Sequence, residues 1–247
     1  MLIELINPIL VIFLVMVQSI AGVGVLVLGT PALLLLNISI IEIMNYLLPI
    51  SIITSLINIL IIKFKTGSFD YDFDRLTHFF IVCIPFVFIG LIILKFLYKF
   101  INFDYFVSIM ILLTLIFRHK ISKLLEKLSL RINKIILMII GIAHGLTNSG
   151  GTLLSIFLIN LNKSKKKSRS EITLFYFFLA SIQFALFYLI FGLTKNLYKF
   201  DMLIICIFIG ITLGNILLEF TSESYFRKLI FFLAFISSLS LLLRNII

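Results

Sequence analysis

The sequence predicts an all-α, polytopic membrane protein made of a bundle of helices. Of its 247 residues, 62% are hydrophobic and only 13% are charged, which leaves too little polar surface for a water-soluble globule. Its apolar runs reach the roughly 18 to 20 residues that a helix needs to cross about 30 Å of hydrocarbon. They lack the alternating pattern that membrane β-barrels require. We therefore expect a multi-pass helical protein of the cell inner (plasma) membrane.

Eight apolar segments follow one another along the chain. The first is too long for one upright helix, because about 32 residues at 1.5 Å each would extend about 48 Å. It holds Gly22, Gly24, Gly29 and Pro31 near its middle, so we expect it to break or to fold back. The segments lie near 5–36, 43–62, 78–97, 102–117, 134–158, 171–193, 201–219 and 228–244.

Loop charge predicts how the fifth segment runs. The loops on either side of it are the most basic in the chain, and a single crossing would put them on opposite faces of the membrane. A hairpin of two half-helices meeting near residues 144–151 keeps both loops in the cytoplasm, as basic loops prefer. The bases are Arg118, Lys120, Lys123, Lys127, Arg131 and Lys134 before the segment, and Lys163, Lys165, Lys166, Lys167 and Arg169 after it.

Two inverted-topology repeats follow if the first segment is an equivalent hairpin. Each half then has a broken or re-entrant segment plus about three transmembrane helices, and an odd number of crossings inverts the second half. We predict a first membrane repeat at 1–117, a basic cytoplasmic linker at 118–133 and a second membrane repeat at 134–247. This topology puts 16 of the 21 lysines and arginines in the cytoplasm. Pairs of full crossings in place of the hairpins would leave every loop on the same side, so that alternative stays open.

Composition and motifs disfavour several classes of function. The net charge of +10 comes from short loops at the ends of apolar runs, which is a topology signal and not a nucleic-acid footprint. Cys83 and Cys206 lie inside apolar runs, where a thiol behaves as a small hydrophobe. The three histidines, at positions 78, 119 and 144, form no metal or catalytic motif. We therefore expect no enzyme activity, no metal, no cofactor and no nucleic-acid partner.

Two breaks in the apolar runs are the candidate binding site. One extends from Gln18 to Pro31 and the other from Gly141 to Gly151, in matching positions of the two halves. Glycines let a ligand approach the backbone, and the half-helix after each break offers unpaired N–H groups that bind an anion without a buried cation. The candidates are Gln18, Ser19, Gly22, Gly24, Pro31 and Asn45, then His144, Asn148, Ser149, Gly150 and Gly151, with Thr30, Thr147 and Thr152 as further donors nearby.

Polar stripes on two spanning segments support this interpretation. Ser51, Thr54, Ser55 and Asn58 recur at helical spacing in the second segment, and Thr173, Tyr176, Ala180 and Gln183 do so in the sixth. Such stripes either line a pathway or form hydrogen bonds between helices. Glycine breaks likewise serve close helix packing, and a lone histidine such as His144 can simply satisfy a neighbour, so these alternatives stay open.

The residues of the two breaks resemble a known family. Gln18-Ser19-x-x-Gly22-x-Gly24 with Pro31, followed by residues 42–58, looks like the opening motif of the TauE/SafE sulfite exporter family, also called the toluene-sulfonate uptake permease family. Gly141 through His144-Gly145 and Asn148-Ser149-Gly150-Gly151, then the basic loop to Arg169 and Ser170, looks like its second repeat. One departure is Thr152 and Leu153, where many relatives have a proline. The resemblance implies inverted repeats that move small sulfur anions across the inner membrane.

A permease for a small anion is therefore the predicted function. The resemblance implies sulfite, a sulfonate or a related sulfur-containing anion as the substrate. From the two breaks we expect transport by alternating access, with the anion bound between them. The expected partners are this anionic substrate and the lipid bilayer, with a homodimer left open. The alternatives are a transporter of another small solute or of a cation, and a non-transporting membrane scaffold whose glycines only pack helices.

Overall fold

The computed structural model describes most of the chain as α-helix. The described residues are 8–67, 71–103, 105–109, 111–113, 115–116, 130–161, 165–192 and 200–220, with single positions between 222 and 242. No strand occurs among them. The helices are α1 (Pro8–Ala21), α2 (Val25–Leu34), α3 (Ile40–Thr66), α4 (Phe73–Leu97), α5 (Leu130–Thr147), α6 (Gly150–Leu161), α7 (Lys165–Phe191) and α8 (Phe200–Phe220).

Four of these helices have the length and apolarity to cross a membrane. They correspond to α3, α4, α7 and α8, and their most apolar stretches have mean hydropathies between 2.1 and 2.8. The predicted segments at 43–62, 78–97, 171–193 and 201–219 coincide with them within a few residues. The all-α, multi-pass fold is thus confirmed in the described part of the chain.

The first and fifth apolar segments are both broken into two shorter helices, as predicted. The first break separates α1 from α2, and the second separates α5 from α6. Gly22 ends α1 with its N–H on the Gln18 carbonyl at 2.7 Å, and Asn148 ends α5 with its N–H on the His144 carbonyl at 3.0 Å. Both residues have a positive φ, 79° and 61°, which stops the helix and turns the chain.

In the first half, the chain folds back on itself after the break. A Cβ atom on Gly24 would lie 2.7 Å from the Gln18 backbone nitrogen, and one on Gly29 would lie 3.0 Å from Leu14 Cδ1. A later residue of α2 thus lies beside an earlier residue of α1, so the two helices are antiparallel. In the second half, a Cβ on Gly150 would lie 2.5 Å from the Ile140 carbonyl oxygen, so α6 likewise begins against α5.

Glycines also bring helices of opposite halves into backbone contact. Where α4 packs along α5, a Cβ on Gly145 would clash with the Val87 carbonyl. Where α1 packs along α8, a Cβ on Gly214 would lie 2.6 Å from the Met16 carbonyl oxygen. Gly141, like Gly145, faces α4 and not a ligand, so this pair is used for close helix packing.

Ion pairs show which helix ends share a face of the bundle. Lys65 at the end of α3 pairs with Glu219 at the end of α8 at 2.7 Å. Arg75 at the start of α4 pairs with Glu171 near the start of α7, and Glu171 also accepts the Asp72 N–H at 3.1 Å. The start of α4 and the start of α7 therefore lie at the same end of the bundle, as the charge distribution predicts.

Parts of the predicted organisation fall outside the described residues. Of the linker predicted at 118–133, residues 118–129 are not described, and α5 begins at Leu130, ahead of the predicted segment start. The last segment of each half, at 102–117 and 228–244, is described only in part, and the described residues from 103 to 116 are mainly helical. The inverted relation of the two halves stays a prediction.

Candidate functional site between the two broken segments

Gln18 connects the two half-helices of the first break to α3. Its side-chain oxygen accepts the Val25 N–H at 3.1 Å, which satisfies the first N–H group of α2. Its amide nitrogen donates to the Ser51 carbonyl at 2.8 Å and to the Ser55 hydroxyl at 3.0 Å. All four residues in these hydrogen bonds are buried, so Gln18 fixes the position of the first break against the polar stripe of α3.

Ser19 belongs to a second polar group, on the other side of α1. Asn58 donates to its hydroxyl at 3.0 Å, and Asn215 on α8 donates to Asn58 at 3.0 Å. Arg169 on α7 closes the ring, because one terminal nitrogen donates to the Ser19 carbonyl at 2.7 Å and to the Asn215 side chain at 2.9 Å. Four helices thus meet where α1 ends.

Asn148 connects the second break to the first. Its amide nitrogen donates to the Thr30 hydroxyl on α2 at 3.2 Å, and its oxygen accepts from Gln183 on α7 at 2.9 Å. Gln183 donates in addition to the His144 carbonyl at 2.9 Å. The two breaks, far apart in sequence, are therefore joined directly through side chains of the predicted site.

One face of α7 passes both breaks. A Cβ on Gly22 would lie 3.0 Å from Thr173 Oγ1, at the first break. The Tyr176 hydroxyl lies beside the Leu26 backbone near the start of α2, and its ring atom Cε2 would lie 2.5 Å from a Cβ on Gly151, at the start of α6. Tyr176 consequently lies between the first turns of the two half-helices, where positive dipole ends occur together with N–H groups that no preceding turn of helix satisfies, the Val25 N–H being bonded to Gln18.

His144 lies at this junction with both ring nitrogens unsatisfied. The residue is fully buried, and neither Nδ1 nor Nε2 has a hydrogen-bond partner among the described residues. Its ring meets the Tyr176 ring edge-on at 5.9 Å, and its Cβ lies 2.6 Å from a Cβ that Gly150 would carry. Gln183 Oε1 and Thr152 Oγ1 are likewise buried without a partner in the described part of the chain. Such groups are costly unless a water molecule or a ligand forms hydrogen bonds with them.

The remaining predicted residues have more local roles. The Ser149 hydroxyl forms a short hydrogen bond with Thr147, which itself donates to the Ala143 carbonyl, so this serine helps to close the turn between α5 and α6. Pro31 is buried inside α2, beyond the break. Asn45 is buried on α3 next to Met44, whose sulfur lies 4.0 Å from Gln183 Nε2.

Arg169 and Asn215 near the end of α1, and Tyr176 at the junction of the two breaks, are not among the site residues that the sequence predicts. The sequence marks Arg169 as a base of a topogenic loop and as part of the second family motif, and nothing in its local sequence predicts a contact with Ser19. Tyr176 was placed on a polar stripe but not between the half-helices. The position of Asn215 could have been noticed in the sequence, because it is an amide within an apolar run. Such an amide is costly in a membrane unless it forms hydrogen bonds or binds a ligand.

Comparison with known proteins identifies the family of the chain. No curated protein and no solved structure matches the chain. A family model, Sulfite exporter TauE/SafE, matches residues 8–241, which include both broken segments and the helices that enclose them. That match takes in nearly the whole chain, so this multi-pass membrane protein belongs to the sulfite exporter TauE/SafE family of transporters.

Proposed function

We propose that the chain is an inner-membrane permease for a small sulfur-containing anion, such as sulfite or a sulfonate. The anion binds at the junction of the two breaks, between the first turns of α2 and α6. The family points to a membrane transporter of sulfur anions. The single observation that carries the location is the buried His144 ring, which lies beside Tyr176 and the start of α6 and whose two nitrogens have no hydrogen-bond partner among the described residues.

The chemistry of this junction suits an anion. A neutral imidazole donates one hydrogen bond from its protonated nitrogen, and Tyr176 and Thr152 add hydroxyl groups. The two helix N-termini add N–H groups and the positive ends of their dipoles. A negative charge is thereby stabilised without a full positive charge at the centre of the membrane, where an unpaired Lys or Arg would be costly.

Alternating access accounts for the closed state of the site. Gln18, His144 and Asn148 are all buried, so the described conformation shields the junction from both faces. At the end of the bundle opposite to Arg75, a cavity of about 300 Å³ opens among residues at the ends of α2 and α4, including Leu34, Ser39 and Tyr98. We assign this end to the outside and the basic end to the cytoplasm, in line with the loop charges.

Two alternatives make different predictions. A transporter of a neutral solute or of a cation would use the same breaks but would show no preference for sulfur anions. A scaffold would need only the packing glycines, so Gly24→Leu or Gly150→Leu would abolish assembly while Gln18→Ala and Asn148→Ala would leave its phenotype intact. The unpartnered ring of His144 favours a site over a purely packed core.

Flux into proteoliposomes tests the proposal. Purified protein would be reconstituted, and uptake of sulfite, sulfoacetate and sulfate compared with uptake of chloride and of a neutral solute. We expect saturable flux of at least one sulfur anion and its loss in His144→Leu, with little change in Thr212→Val, a substitution at an exposed hydroxyl of α8. Absence of flux for every sulfur anion, in protein that remains folded, would contradict the proposed substrate class.

A further inference from the structure

Arg169 is a partly buried cation that the junction around His144 does not explain. Its hydrogen bonds run from one terminal nitrogen to the Ser19 carbonyl and to the Asn215 side chain. Its Nε atom is buried and has no partner in the described part of the chain. A guanidinium has five N–H donors in a planar fork, so this arrangement leaves much of its bonding capacity unused.

The charge of Arg169 is also uncompensated among the described residues. Glu171, two positions along α7, is fully buried and is occupied by Arg75 and by the Asp72 N–H. Glu219, one turn beyond Asn215 on α8, pairs with Lys65. Arg169 therefore faces neutral oxygen atoms, although a cation taken out of water is stabilised far better by an anion.

Arg169 lies at the entrance from the basic end of the bundle to the two breaks. It follows the exposed Lys166 on α7, and Thr173, one turn further in, packs at Gly22. Tyr176 comes about 10 Å further along the same helix, by the 1.5 Å rise per residue. An anion that moved from the basic loops to the junction along this face of α7 would meet the guanidinium first.

We propose that Arg169 is a second anion-binding site, which receives the sulfur anion at the basic end before it reaches the His144 junction. The guanidinium gives up the Ser19 carbonyl and the Asn215 oxygen and takes two oxygens of the sulfite or sulfonate group instead. Because Ser19 lies in the last turn of α1 and Asn215 belongs to α8, this exchange also releases α7 from both helices at the entrance. The inference rests on the proposed permease function for the identity of its ligand.

The exchange is chemically reasonable because the competing contacts are weak. Arginine binds planar or tetrahedral oxyanions through two parallel N–H···O bonds, each stronger than a bond to a neutral oxygen. The ring of Ser19, Asn58 and Asn215 keeps its other hydrogen bonds when the guanidinium leaves. The helices therefore retain one connection while the entrance opens.

Anion binding to the purified protein tests this inference. Thermal shift would be titrated with sulfite, sulfoacetate and sulfate for the wild type, Arg169→Gln, Arg169→Lys and Lys65→Gln. We expect Arg169→Gln to weaken apparent binding by about tenfold to a hundredfold, in line with loss of a charged hydrogen-bond donor. The apparent Kd of Arg169→Lys should lie between those of the wild type and Arg169→Gln. The apparent Kd of Lys65→Gln should stay within about twofold of the wild-type value, because this substitution removes a charge from an exposed pair at the same end.

Asn215→Ala separates binding from a purely structural role. It removes one of the oxygens that compete for the guanidinium, so we expect the apparent Kd for the anion to fall severalfold even if the protein becomes less stable. Equal Kd values for the wild type and Arg169→Gln would overturn the inference, as would a wild type that binds none of these anions. If Arg169→Gln does not fold, an Asn215→Ala variant with unchanged or weaker binding overturns it.

Flux keeps this inference distinct from the permease proposal. Arg169-dependent binding without transport in proteoliposomes would contradict the proposed function and leave the second site in place. Transport with the same KM in the wild type and Arg169→Gln would contradict the second site at Arg169 and leave the proposed permease function in place.

Discussion

Gly22 and Asn148 hold the same backbone conformation at corresponding points of the two halves. Each has a positive φ, 79° and 61°, and each donates its N–H to the carbonyl four residues earlier, Gln18 or His144. Each is followed two residues later by a glycine at the start of the next half-helix. Gly22 therefore ends a helix and has no side chain for a further contact. Asn148 ends a helix and also joins the two halves, because its side-chain amide donates to Thr30.

Gly22→Ala should destabilise the protein far more than Gly67→Ala. Both glycines have a positive φ, which costs an alanine about 1 kcal/mol. At Gly22 the new Cβ would also press on a neighbour, Ile172 Cγ2 at 2.8 Å, whereas no atom of the described residues lies within 4 Å of a Cβ at Gly67. We expect a loss of about 3 kcal/mol for Gly22→Ala, because overpacking adds to the conformational cost. Thermal unfolding in detergent measures the difference, and equal losses would contradict the tight contact between the first break and α7.

Asn148→Asp should abolish anion transport while the fold is retained. The side chain keeps its shape and its oxygen can still accept from Gln183, but a negative charge now faces the junction. Thr77→Asp is the control, because it also adds an acidic side chain, at an exposed position where the hydroxyl donates to the Phe73 carbonyl of its own helix α4. We expect sulfur-anion flux to fall about tenfold or more in Asn148→Asp and to remain near wild type in Thr77→Asp. A gain of cation flux in Asn148→Asp would instead support the cation alternative.

Glu171→Gln should destabilise the bundle strongly. Glu171 is fully buried and pairs with Arg75, so its neutralisation leaves the partly buried guanidinium with the more distant and more exposed carboxylate of Asp72, at 3.3 Å, as its counter-ion. The expected loss is about 3 kcal/mol. Glu219→Gln, at an exposed pair with Lys65, should have little effect and should become indistinguishable from wild type at high salt. Similar unfolding temperatures for the two variants would show that the buried pair does not hold α4 to α7.

Cysteine labelling should place Thr66 and Lys166 on one face of the membrane and Lys99 on the other. The ion pairs that join α3 to α8 and α4 to α7 put the first two residues at the same end of the bundle. Cys83 and Cys206 are buried and would be replaced first. Single cysteines at Thr66 and Lys166 should react with an impermeant reagent from the cytoplasmic side only. Labelling of these two from opposite sides would rule out the hairpin of α5 and α6.

Local patterns in the sequence predicted much of the fold. Glycines within apolar runs located both breaks, and hydropathy located the four long helices, because these features depend on residues that are neighbours in the chain. Loop charge predicted that the loops near Arg75 and Arg169 share a face, and the ion pair of Arg75 with Glu171 supports this. In each case the free-energy cost that decides the structure, that of bending a helix or of placing a charge in hydrocarbon, depends on a short stretch of sequence.

The side-chain arrangement of the site was less predictable. The bond from Arg169 to Ser19 and the position of Tyr176 between α2 and α6 depend on how α7 packs across both halves. A stripe of polar residues indicates which face of a helix is polar but not which neighbour it meets. Gly141 and Gly145 pack against α4, whereas Gly150 and Gly151 contact α5 and Tyr176. This difference depends on where α4 lies and could not be predicted from the glycines alone.

The most direct measurement of the central claim is a structure of the protein with a heavy analogue of its ligand. Crystals grown or soaked with selenite would be compared by anomalous scattering with crystals of His144→Leu treated in the same way. We predict a selenium peak within hydrogen-bond distance of His144 and Tyr176, at the first turns of α2 and α6, and its absence in the variant. A peak elsewhere in the bundle with this junction empty, or an unchanged peak in His144→Leu, would contradict the assignment of the anion site to the two breaks.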